Sequence, residues 1–140
     1  MVKKTGNINF GINIIMQISK NVQKILKFYE SDNPGVKNNL ARLLNHGDLG
    51  GTGKIVILPV DQGFEHGPLE SYSINEDAFD PYYHYRLAIE SQVSAYAAPL
   101  GSLEMGASEF AGMVPTILKM NSSNTLMSKD IPANQSITLL

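Results

Sequence analysis

Between residues 16 and 47 the apolar positions recur at helical spacing. Ile18, Val22, Ile25, Leu26 and Tyr29 fall at i, i+4, i+7, i+8 and i+11, which is one face of an α-helix. The tract Ser31-Asp32-Asn33-Pro34-Gly35 interrupts that face, as Pro and Gly do. A second short helix follows, with Val36, Leu40, Leu43 and Leu44 on one side and Gly47 as its stop. From residue 55 the pattern changes. Ile55-Val56-Ile57-Leu58 is a continuous apolar run, expected to be a strand buried on both faces, with Pro59 close to its end because proline cannot donate to a ladder. Asp80-Pro81 predicts a helix start with a capping carboxylate, and Tyr82, Tyr85, Ala88 and Ile89 its buried stripe. Residues 93–98 read as a second strand closed by Pro99-Leu100-Gly101, residues 103–110 as a short helix, and residues 116–120 as a third strand. Strand, helix, strand, helix, strand implies parallel strands joined by right-handed crossovers, an α/β fold.

Residues 1–15 carry two lysines and a weak apolar stretch broken by Asn7, Asn9, Gly11 and Asn13, with no small-residue cleavage site after it. They read as a disordered extension, not a secretory signal. The chain then divides into a helical leader, residues 16–50, and an α/β body, residues 51–140. Charge divides the same way. Residues 1–54 hold 8 Lys/Arg against 3 Asp/Glu, a balance of +5, while residues 55–140 hold 3 against 10, a balance of −7. The leader's lysines alternate with apolar residues at helical intervals, so they read as a solvated helix face. With a net charge of −2 overall, nucleic acid is not the expected partner. The longest apolar runs fall far short of the ~20 residues of a membrane span. There are no cysteines, which excludes disulfides, thiolate metal sites and a Cys nucleophile.

In parallel α/β sheets the chemistry gathers at the carboxyl ends of the strands. Three polar clusters occupy those places: Asp61 to Pro68 after the first strand, Pro99 to Ser102 after the second, and Lys119-Met120-Asn121 at the third. Asp61 follows Val60 directly, where a carboxylate needs a partner or a job. Lys119 stands in an otherwise apolar strand. It suits imine chemistry or phosphate binding, and equally a plain ion pair with a carboxylate such as Asp61. A metal site at Asp61, Glu65 and His66 lacks the second histidine that zinc usually takes, and His46 and His84 sit in helical contexts that read as surface. No metal or cofactor is expected. Gly50-Gly51-Thr52-Gly53-Lys54 is not a phosphate loop: Asp48 stands where the first glycine belongs, Ile55 where Ser or Thr belongs, and the segment precedes its strand. It reads as a flexible turn.

At ILPVDQGFEHGP, residues 57–68, the sequence resembles the archaeal-type (DhnA-like) class I fructose-bisphosphate aldolases, in their bacterial branch. The likeness runs over residues 51–136, through residues 75–89, SAYAAPLG at 94–101 and VPTILKMN at 114–121. NQSIT at 134–138 resembles the approach to that family's next helix. The resemblance implies the N-terminal part of a (β/α)₈ TIM barrel, about three β/α units, preceded by two short helices. It implies a cytoplasmic, metal-free lyase that cleaves fructose 1,6-bisphosphate through a Schiff base on lysine, and a homo-oligomer at full length. Asp61 matches the family's first-strand acid, which orients or protonates the bound intermediate. His66 and Lys119 match positions near the substrate. The imine lysine, the acid/base tyrosine and the phosphate-binding loops lie further along in the family than residue 140, so this chain is expected to have negligible activity alone. A decayed or split product that needs a separate C-terminal half, and a related barrel with another sugar-phosphate substrate, are the alternatives. Three parallel strands should leave an open edge and an uncovered apolar face. Leu139-Leu140 looks unlike the helix expected there, as a truncation or frameshift would produce.

Overall fold

A computed structural model describes residues 18–61, 68–123 and 135–137, so the expected N-terminal extension lies outside the described residues. Helix α1, Lys20–Lys27, begins where the Ser19 hydroxyl accepts from Val22 N–H. Ile18 precedes that cap and Tyr29 follows the helix end, so the apolar stripe is shorter than its spacing predicts, and Val22 is its buried residue. Helix α2, Pro34–Asn45, is capped by the Asn33 side chain, which accepts from Val36 N–H. Pro34 occupies the first turn, where a missing N–H costs nothing. The Pro-Gly tract is thus the start of the second helix as well as the break after the first. Gly47 does end α2, at φ +73°, and a Cβ there would lie 2.1 Å from the Gln92 carbonyl oxygen. This close approach, with Asp48 N–H donating to Gln92 O at 2.9 Å, seats the leader on the body. Residues 50–53 form a turn tied down by Gly51 N–H to Leu44 O and by the Ser19 hydroxyl to Gly51 O.

The body is α/β. Three parallel strands lie in the order β1-β2-β3: β1 Ile57–Pro59, β2 Ala95–Pro99 and β3 Thr116–Lys119. Between them run α3 Pro68–Tyr72, a 3₁₀ turn Glu76–Phe79, α4 Pro81–Glu90 and α5 Leu100–Phe110. The α4 start is as predicted, with Asp80 accepting from Tyr82 N–H at 2.9 Å. Four expectations need correction. The first strand begins two residues late, and Ile55, Val56 and Ile57 are 44%, 49% and 36% exposed, not buried on both faces. Among the described residues β1 has a neighbour on one side only, and beside it Ile55, Val56 and Ile57 are partly exposed. Pro59 ends the strand as predicted. Pro99 closes β2 as predicted, but it is also the N-cap of α5, so Leu100-Gly101 open that helix, three residues before its predicted start. Gln135–Ile137 is a strand, β5, paired antiparallel with β4 (Asn121–Ser123), where the approach to a helix was expected. α3 and the 3₁₀ turn were not anticipated.

The core lies on the helix-covered side of the sheet, where Tyr85 and Ala88 of α4 and Phe110 of α5 pack on Val60, Tyr96 and Ala98. Tyr85 is its hinge: its ring stacks on Phe110 at 5.1 Å, meets Tyr96 edge-on at 4.8 Å, and its hydroxyl donates to Leu103 O at 2.9 Å. No helix among the described residues is long and apolar enough to cross a membrane.

Candidate functional site

Register brings the site together. Pro59 pairs with Ala97 and Pro99 with Lys119. Two residues beyond Pro59, Asp61 therefore falls level with Pro99 and Lys119, and the period of two puts all three on the face of the sheet away from Tyr96. The geometry agrees. Lys119 Nζ donates to Asp61 Oδ2 at 2.7 Å, joining residues 58 positions apart at the carboxyl ends of β1 and β3. The two side chains are 26% and 32% exposed, partly sheltered but open to a ligand. The ion pair with Asp61, one of the two readings the sequence left for Lys119, is present. Paired this way, Lys119 presents an ammonium that can hold an anionic or carbonyl oxygen, beside a carboxylate that can accept or return a proton. His66 lies outside the described residues.

Tyr72 belongs to the same neighbourhood and was missed. Burial, and after it the nearby Asp61 charge, push its phenol above the usual range. Its ring meets Phe79 edge-on at 5.4 Å and His84 at 5.5 Å. No periodic pattern marks it, since Ser71-Tyr72-Ser73-Ile74-Asn75 alternates with neither helix nor strand spacing. His84, expected at the surface, is buried. Its Nε2 donates to Ala78 O at 2.9 Å, pinning the 3₁₀ turn to α4, and burial drives its pKa below the ordinary histidine value. Among the described residues no three His, Asp or Glu converge as metal ligands. A cleft of about 310 Å³ lies at the other end of the sheet, between Arg42 of α2 and Leu103, Phe110, Val114 and Thr116. It does not include Asp61 or Lys119.

Over 100 residues the chain is 45% identical to a probable fructose-bisphosphate aldolase class 1 of Chlamydia muridarum, covering 71% of this chain and 29% of that one. A second, from Chlamydia trachomatis, is 43% identical over the same share. This chain is a relative of the class 1 fructose-bisphosphate aldolases. The likeness extends to the fructose-bisphosphate aldolase class 1 of Thermoproteus tenax, 39% identical over 74 residues, 53% of this chain and 27% of that aldolase. The chain thus spans less than a third of the length of the curated aldolases it matches. No family model matches it, and no solved structure matches it significantly.

Proposed function

We propose that the chain carries the first- and third-strand part of a Schiff-base aldolase site for fructose 1,6-bisphosphate, with dihydroxyacetone phosphate and glyceraldehyde 3-phosphate as products. The observation that carries this reading is the Asp61–Lys119 pair at 2.7 Å, at the carboxyl end of a parallel sheet in a relative of the class 1 aldolases. Lys119 binds an oxygen of the sugar phosphate as a point charge, and Asp61 orients or protonates the intermediate. His66, five residues after Asp61 in the sequence, is proposed to bind the same substrate, as the resemblance implies. An iminium on the catalytic lysine draws electrons from the neighbouring carbon and eases C–C cleavage, which is why the class needs no metal. By the resemblance that lysine is not among these 140 residues, so the chain alone should not turn over substrate. The reading extends to a (β/α)₈ barrel, of which residues 51–140 are part and residues 16–50 a helical leader, working in the cytoplasm.

Titration of isotopically labelled chain with dihydroxyacetone phosphate, followed by NMR, tests the reading. Shifts should centre on Asp61 and Lys119 and vanish in Lys119→Met, while borohydride reduction should trap no adduct in intact-mass spectrometry. No shift at either residue removes the binding role. A one-substrate mass gain on Lys119 makes that lysine the imine former and overturns the assignment.

A further inference from the structure

His84 lies where α4, the 3₁₀ turn and α3 meet. It is buried on α4 and donates from Nε2 to Ala78 O of the turn at 2.9 Å. Its ring rests on Tyr72, the last residue of α3, with centroids 5.5 Å apart, and Tyr83 meets it edge-on at 5.4 Å. The Tyr83 hydroxyl accepts from Asn75 Nδ2 at 3.0 Å, so the turn is tied at its start as well as near its end. Tyr72 in its turn meets Phe79 edge-on at 5.4 Å and lies near enough to Asp61 to feel that charge. A chain of contacts therefore runs from His84 through Tyr72 to Asp61, which accepts from Lys119 at 2.7 Å.

This setting keeps His84 neutral. The groups that face it are the Tyr72 phenol from α3, the Ala78 carbonyl from the 3₁₀ turn, and Tyr83 and Asp80 from α4 and its cap. Asp80 is shared with Arg86, at 3.1 Å. The carbonyl and the shared carboxylate favour a cation, but burial opposes it more strongly. A neutral imidazole has a single N–H, which Ala78 satisfies. An imidazolium brings a second N–H and a full charge among aromatic rings. Turning the ring towards water solvates that charge, and gives up the Ala78 bond and the Tyr72 contact together.

We propose that His84 is a positioning residue for the Asp61–Lys119 pair: neutral, it holds Tyr72 beside Asp61, and protonated it releases that ring, so that pH sets the surroundings of the carboxylate. The linkage stands on the contacts among these side chains. Its effect on sugar-phosphate binding rests on the aldolase reading.

The test is NMR of the labelled, ligand-free chain between pH 8 and 5. The His84 ring gives its own midpoint, and the Ala78 amide, the Tyr72 ring and the Asp61 carboxyl are followed beside it. Each should bend at the His84 midpoint. In His84→Gln, whose amide can still donate to Ala78 O but cannot titrate, that bend should disappear, while any bend from His66, five residues after Asp61 in the sequence, stays. In Tyr72→Phe, which keeps the ring and deletes the hydroxyl, the bend should remain at Ala78 and be lost at Asp61. Its survival at Asp61 would mean that His84 acts directly through space, and overturns the positioning role; a flat Asp61 signal in the native chain does the same. A bend shared equally by Val60 and Ala88 of the core is unfolding of the whole body and also overturns it. If His84→Gln does not fold, the Tyr72→Phe comparison decides. Titration with dihydroxyacetone phosphate separates the two readings. Relative to His84→Gln, the native chain should bind it about fivefold more tightly above the His84 midpoint than below it. Equal binding on both sides overturns the positioning role. No binding to either protein counts against the aldolase reading and leaves the linkage to be decided by the ligand-free spectra.

Discussion

His84 and Tyr96 are two polar residues that fold into the wrong solvent, and each makes a different prediction. His84 donates from Nε2 to Ala78 O between the rings of Tyr72 and Tyr83, and burial outweighs the favourable influence of that carbonyl and of Asp80, so its folded pKa lies below 6.5. The unfolded chain takes up a proton near pH 6.5 while the folded one resists. The stability contributed by neutral His84 is therefore complete above that pH and is lost as the pH falls towards the folded value. Urea midpoints measured between pH 7.5 and 5 should fall more steeply for the native chain than for His84→Gln, and equal slopes would show that His84 is not the titrating group. Tyr96 is fully buried, and its hydroxyl has no hydrogen-bond partner among the described residues. Burial first, with Tyr85 and Tyr72 adding to it, pushes that phenol far above its usual range, so it stays neutral. An unsatisfied buried hydroxyl costs about 1–3 kcal/mol. Tyr96→Phe keeps the edge-on contact with Tyr85 and should match or exceed native stability by about 1 kcal/mol in urea denaturation; a loss of more than that would mean the hydroxyl has a partner, such as a bound water.

At the scale of elements, α5 shows two rules in conflict. Gly106 is inside a helix, where alanine is favoured by about 1 kcal/mol. A Cβ there would lie 2.4 Å from two carbons of the Tyr85 ring, and that ring cannot withdraw, being stacked on Phe110, edge-on to Tyr96 and tethered through Leu103. Overpacking of this kind costs about 1–3 kcal/mol, so the clash wins. Gly106→Ala should lower the thermal midpoint, whereas Gly101→Ala, with open space around its Cβ, should not. The same contrast explains what could be read from sequence. The Asp80-Pro81 start, the Gly47 stop and the strand at Thr116–Lys119 were legible because each depends on local backbone chemistry or a local apolar run. The Pro34 start was misread because proline both breaks and begins helices, and only the Asn33 cap decides which. The exposure of Ile55 and Val56 was not legible as a single-strand property, since burial depends on what lies alongside. For the site, Asp61 and Lys119 were named separately, and the idea that they might pair was one of two open readings. Their distance follows from strand register, a long-range fact. Tyr72 and the burial of His84 come from an aperiodic segment whose folding back on α4 leaves no local mark.

At the scale of the whole molecule, the question is how a three-stranded parallel sheet protects its backbone. β2 is bonded along both sides and lies beneath α4 and α5, with Ala95, Tyr96 and Ala98 wholly buried. Its amides open only when the body does. β1 and β3 each turn alternate amides outward, and the side chains near the β1 edge are among the more exposed apolar residues. Exchange at such positions needs no unfolding, because water already reaches the N–H. Hydrogen–deuterium exchange of the isolated chain should therefore split within single strands. Tyr96 and Ala98, which bond towards β3, and Val60, which bonds to Ala97, should exchange slowly, while Ile57, Thr116 and Leu118 should exchange within the fast phase. The contrast between Leu118 and its neighbour Ile117 is the sharpest reading, since both share one strand of four residues and differ only in the side to which the amide points. Equal protection of the two would mean that the β3 edge is already paired in the isolated chain. Equal lability would mean that β3 itself frays, so that the Lys119 ammonium reaches Asp61 only transiently.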